Sequence, residues 1–134
     1  MNSEAGRSFV DDAILNKTVR AFNHRRYGEA ARQAAEGLAV SQGQDEAFWM
    51  GLHEACEGFE LLTRGQYVPA ERKLMGSLRA MRNFGYRYGN FEVTAALAGI
   101  RRSVEEIRTV RARAGKVFDV SLLPQLRLAA KADD

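Results

Sequence analysis

The chain has 134 residues, 46% hydrophobic and 28% charged, a balance that excludes a disordered chain and fits one domain around one core. A lone cysteine, Cys56, excludes an internal disulfide framework. Net charge is only +3, but residues 1–63 hold six Lys/Arg against ten Asp/Glu, residues 64–116 hold twelve against four, and residues 117–134 two against three.

In chain order, the spacing predicts a first helix over residues 8–23. Ser8 and Asp11 have the spacing of a capping box, and Val10, Ile14, Leu15, Val19 and Phe22 form its apolar stripe. Residues 1–20 include Glu4, Asp11 and Asp12 and no continuous apolar run, so they do not read as a signal peptide. After the polar turn His24-Arg25-Arg26, a second helix is expected from Tyr27 to Val40. Its small residues Ala30, Ala31 and Ala34 let a neighbouring backbone come close, which places it at the centre of the bundle. Gly43 suits a helix break.

A third helix is expected over 45–64, with Phe48, Leu52, Ala55, Phe59 and Leu62 on one arc. A fourth starts near Tyr67, with Pro69 tolerated in its first turn and Ala70, Leu74, Leu78 and Met81 as its stripe. The two-glycine segment 83–90 reads as a loop. A fifth helix is expected over 91–113, and beyond Gly115 comes an apolar-rich tail that Pro124 must bend. The expected architecture is therefore all-α: a compact bundle of about five helices over residues 1–116, with a C-terminal helical tail over 117–134 that frays at its end. No segment reaches the ~18 apolar residues of a membrane span, so a cytoplasmic, membrane-free protein is expected.

Helices two and four repeat one pattern. Tyr27, Ala30, Ala34 and Leu38 correspond to Tyr67, Ala70, Leu74 and Leu78, and each set follows a helix and a short polar turn. Two such hairpins must stack to bury their apolar faces, an organisation that resembles a tetratricopeptide repeat.

The run Phe22-Asn23-His24-Arg25-Arg26-Tyr27-Gly28-Glu29-Ala30 resembles the opening of the bacterial and archaeal domain-of-unknown-function family numbered 309, which reads aromatic or Leu, Asn, x, Gly, x, Tyr, x, Glu, Ala. Phe48-Trp49-Met50-Gly51-Leu52 is similar to that family's second motif, and Gly65-Gln66-Tyr67 with Ala70 to a third. The resemblance covers residues 22–107 and implies a small helical bundle without an agreed activity. Where the family carries His-Glu and a further Glu, this chain has Ala31, Arg32 and Ala35. A family Gln is Met50 here, and a family His falls at Glu60.

Three constellations carry possible chemistry. His53, Glu57, Glu60 and Arg64 share one face of the third helix, a spacing that di-metal bundles use. Arg32 faces them in place of a ligand, so the expected state is a salt-bridged face without metal, with a Glu60–Arg64 pair and Arg32 reaching Glu57 or Glu54. Around the glycine loop, Arg79, Arg82, Phe84, Tyr86, Arg87, Tyr88 and Phe91 interleave cations with rings, as single-stranded nucleic-acid binders do. On the fifth helix, Arg101, Arg102 and Arg108 extend the basic surface, with Glu105 and Glu106 placed to pair with Arg101 and Arg102.

Two histidines, His24 and His53, leave little material for acid–base catalysis, and no nucleophile triad, zinc spacing or phosphate loop occurs. The expected function is a non-enzymatic helical interaction module, without cofactor, that binds a protein partner or itself. Binding of nucleic acid through residues 79–91 and the fifth helix is the alternative, and a metal-dependent enzyme on the third helix ranks last.

Overall fold

Residues 11–129 are described by the computed structural model, in which five α-helices follow one another and pack in chain order. They are α1 (Asp12–Asn23), α2 (Tyr27–Val40), α3 (Gln44–Thr63), α4 (Tyr67–Met81) and α5 (Val93–Ala112). Ser8 and Val10 lie outside the described residues. Asp11 caps α1, its carboxylate accepting the Ile14 N–H at 3.0 Å.

The repeat is a repeat of backbone as well as of sequence. At the end of α1 the Arg26 N–H bonds to the Ala21 carbonyl (2.9 Å) and the Arg25 N–H to that of Phe22 (2.8 Å). At the end of α3 the Gln66 N–H bonds to Leu61 (3.0 Å) and the Gly65 N–H to Leu62 (2.9 Å). Both are Schellman closures, which need a left-handed residue at their hinge. Gly65 supplies it at φ 75, but the equivalent residue is Arg25 at φ 62, the one non-glycine among the described residues with positive φ. Each closure turns the chain back into a helix led by a tyrosine, buried at Tyr27 and partly buried at Tyr67, and Ala30, Ala34, Ala70 and Leu74 are all fully buried.

The helix at the centre is α3, which packs on α2 from one side and α4 from the other. Close approach there is made by glycines. The indole of Trp49 rests on Gly37, Met81 on Gly51 and Leu74 on Gly58. Ser77, also buried, donates to the Gly51 carbonyl at 2.7 Å and so ties α4 to α3 without leaving a polar group unsatisfied. The expectation that α2 is central gives way to α3 because the helices pack in chain order, which leaves α2 between α1 and α3.

Between α4 and α5 the chain forms a 3-10 turn, Arg82–Phe84, and then a two-stranded antiparallel hairpin, β1 (Arg87–Tyr88) with β2 (Phe91–Glu92). Gly89, at φ 57, opens its two-residue turn. The hairpin, where a plain loop is expected, has a structural task. The Tyr86 carbonyl accepts from Val93 (3.0 Å) and Thr94 (3.3 Å), satisfying the first turn of α5, which no side chain caps.

The tail is helical only at one 3-10 turn, Val120–Leu122, and then runs extended. Phe118 and Leu126 are buried in the common core, so the tail closes the bundle. Its end joins the hairpin through a bridge between Phe91 and Leu128. It also reaches α1: the Asn23 amide donates to the Leu126 carbonyl (3.0 Å) and accepts from the Leu126 N–H (2.8 Å).

Candidate functional site

The polar face of α3 sits where α2, α3 and α4 leave a groove of about 320 Å³. Gly28 and Ala31 of α2 form one wall, Glu57, Glu60, Leu61 and Arg64 of α3 the middle, and Lys73 of α4 the other wall. The Glu60 carboxylate would lie 3.6 Å from a Cβ at Gly28, beside the first turn of α2. That turn has no side-chain cap, and a carboxylate near it offsets the positive end of the helix dipole. Arg64 holds the same carboxylate at 2.7 Å, the pair expected from the spacing.

Glu57 is held differently from the expectation. Lys73 Nζ lies 2.9 Å from one of its oxygens, and His53 Nε2 3.6 Å from the other. Arg32 does not cross to Glu57 or Glu54; it is exposed and makes no ion pair among the described residues. Glu54 points away from the groove and lays its carboxylate over Gly76 of α4. The face therefore divides: Glu57, Glu60 and Arg64 line the groove, His53 sits at its margin, Glu54 belongs to the α3–α4 contact, and Arg32 stands in solvent. Among the described residues no three His, Cys, Asp or Glu side chains are placed to hold one metal ion. Chemically the groove offers two carboxylates and two cations in pairs that an incoming charged group can exchange with.

The basic loop is also divided. Phe84, Tyr88 and Phe91 all pack on Phe48, with ring centroids at 5.9, 5.1 and 5.2 Å, and the Tyr88 hydroxyl donates to Asp45. Only Tyr86 of these rings is exposed, and the Arg87 guanidinium lies over it at 5.3 Å. Arg79, Arg82, Arg101 and Arg102 are exposed and form no ion pair among the described residues. Arg108 and Arg111 both grip Glu71 of α4, at 2.8 and 2.7 Å. The expected pairs of Glu105 with Arg101 and of Glu106 with Arg102 are not made; Glu106 takes Lys116 at 2.9 Å and the Asp119 N–H at 3.2 Å. A shallow groove of about 240 Å³ between α4 and α5, floored by Met75, Leu78 and Val104, has Arg101 and Arg108 on its rim.

Sequence reasoning missed Lys73 and Glu71. Both act across a helix pair, and the register between helices leaves no mark in the spacing along either one. It also missed a second polar cleft, between α1 and α2, described below. Cys56 is fully buried, and burial pushes its thiol well above the usual range, so it is packing rather than chemistry. No helix among the described residues is long and apolar enough to cross a membrane. No family model, curated protein or solved structure matches the chain.

Proposed function

We propose that this protein is a non-enzymatic helical interaction module whose α2–α3–α4 groove receives a segment of a protein partner carrying both acidic and basic side chains. The observation that carries the reading is the lining of that groove: small residues Gly28 and Ala31 admit a partner backbone, while Glu57–Lys73 and Glu60–Arg64 present both signs of charge. Partly exposed pairs of this kind add little to stability, so exchanging them for partner contacts costs the fold little. The likeness to the family numbered 309 belongs to the same proposal, as a divergent relative in which Ala31, where that family has a polar residue, leaves the groove open.

Affinity capture tests it, with Ala31→Trp to fill the groove and Lys73→Glu to reverse one pair, and light scattering to detect self-association. A protein held stoichiometrically by the wild type, or a second copy of the chain, must be lost by both variants. A partner retained by both removes the groove from the reading. A second reading, nucleic-acid binding, is favoured by one observation: Arg79, Arg82, Arg101 and Arg102 are exposed without ion pairs among the described residues. A low-salt gel shift abolished by Arg101→Ala with Arg102→Ala, and falling steeply with salt, supports it.

A further inference from the structure

We propose that the cleft between α1 and α2 binds a small phosphomonoester that also carries hydroxyl or amino donors. Lys17, Arg20 and His24 recur at i, i+3 and i+7, so they project from one side of α1 and its C-cap. Arg26, Glu29 and Gln33 recur with the same spacing along the start of α2, which runs back antiparallel after the tight turn. The two rows enclose a cleft of about 300 Å³, at the lower end of the ~300–1,000 Å³ of small-molecule sites.

The two walls differ in chemistry. On the α1 wall, Lys17, Arg20 and His24 have no ion pair among the described residues. Arg26 adds a fourth donor, touching Glu29 only at 3.9 Å. Such a surplus of donors over carboxylates suits a compact dianion rather than a neutral ligand. On the α2 wall, Glu29 and Gln33 are acceptors, and the Gln33 Oε1 is buried without a hydrogen-bond partner. An acceptor left unmade in this way is unfavourable, and turning the Gln33 amide into the cleft it lines lets a ligand hydroxyl or amine beside the phosphate satisfy it. The ligand therefore carries its anionic group toward α1 and its donors toward α2. This site is separate from the groove across α3 and does not depend on that reading.

Calorimetry on the full chain in low-salt buffer tests the proposal, with glucose 6-phosphate, inorganic phosphate and glucose as probes. The expected result is single-site saturable binding of glucose 6-phosphate, weaker binding of inorganic phosphate and none of glucose. Lys17→Gln with Arg20→Gln, both at exposed positions, should weaken the sugar phosphate by about tenfold or more. Gln33→Leu should narrow the gap between sugar phosphate and phosphate while leaving phosphate binding in place. Absence of saturable binding by both anions overturns the site, as does binding that survives the double substitution. Equal affinity for the two anions in the wild type overturns the role given to Gln33 and Glu29.

Discussion

The indole of Trp49 packs so closely on Gly37 that a Cβ there would stand 2.5 Å from Cδ2. In an ordinary helix interior, Gly→Ala gains ~1 kcal/mol. Here the ring is itself pinned by Phe48, at 5.7 Å, so the added methyl must displace it. Overpacking of this kind costs about 1–3 kcal/mol, so Gly37→Ala is expected to be destabilised by about 1–2 kcal/mol in urea unfolding, with altered Trp49 fluorescence. Gly28→Ala is the control. Its methyl meets Glu60 at ordinary contact distance, so the helix gain of up to ~1 kcal/mol should survive.

Arg25 occupies the hinge that Gly65 occupies in the second hairpin, at nearly the same φ. A side chain in the left-handed region costs roughly 1–2 kcal/mol, partly offset because glycine loses more freedom on folding. Arg25→Gly is expected to raise stability by about 0.5–1 kcal/mol, and Gly65→Ala to lower it by a similar amount. Thermal unfolding of both variants reads the two opposite signs.

Asn23 holds the tail by two hydrogen bonds to the backbone of Leu126, one in each direction. Its own carbonyl also accepts from Gln125 Nε2 at 3.2 Å. Asn23→Ala removes the side-chain pair and leaves a partly buried peptide group unmade, at a cost of about 1–3 kcal/mol. Hydrogen exchange should then quicken first at residues 123–128, while the amides of α3 keep their protection.

Glu71 accepts from Arg108 and Arg111, and its side chain is only 16% exposed. The Arg108 hydrogen bond chiefly holds its carboxyl below the usual carboxylate range; desolvation opposes this, and Arg111 adds to it. A carboxylate depressed in the folded state stabilises the fold above its unfolded pKa of ~4.3, and the contribution is lost as pH falls through the lower, folded value. Because both arginines are about half exposed, Glu71→Gln should cost no more than about 1 kcal/mol at pH 7. The difference from wild type should stay level down to about pH 5 and vanish in stronger acid, as urea titrations at several pH values will show.

Tyr27 is wedged between Phe22 and Phe59, with ring centroids at 5.0 and 5.5 Å, and its buried hydroxyl has no hydrogen-bond partner. Burial pushes its phenol up to about 12. Tyr27→Phe keeps the packing and removes the unmade hydroxyl, so it should be neutral or more stable by up to about 1 kcal/mol. A clear loss of stability would mean that the hydroxyl has a partner in solution.

The helices were legible because their signals are local. Tyr27 to Val40 is bounded by a turn and an apolar stripe that can be read within the segment itself, and the 40-residue offset of the repeat reappears in the two Schellman closures. The hairpin of Arg87–Tyr88 with Phe91–Glu92 was not legible, because two-residue strands are too short to show alternation. Its aromatic residues read equally well as a stacking surface and as core, and only Phe48, more than thirty residues away, decides between them. Of the α3 face, the Glu60–Arg64 pair follows from helix spacing alone. Lys73 on Glu57 and Glu54 over Gly76 depend on how α4 crosses α3, which sequence spacing does not encode.

The bond between Asn23 and Leu126 joins residues 103 positions apart, whereas both hairpins form from contacts between chain neighbours. A row of hairpins held only by adjacent interfaces can open from either end in steps. Fastening the first helix to the tail ties the two ends of that row together. Unfolding should then begin with release of that clasp, before the hairpin interfaces separate. During synthesis the same geometry means that the hairpins assemble early, while the clasp closes only once residues 123–128 have emerged.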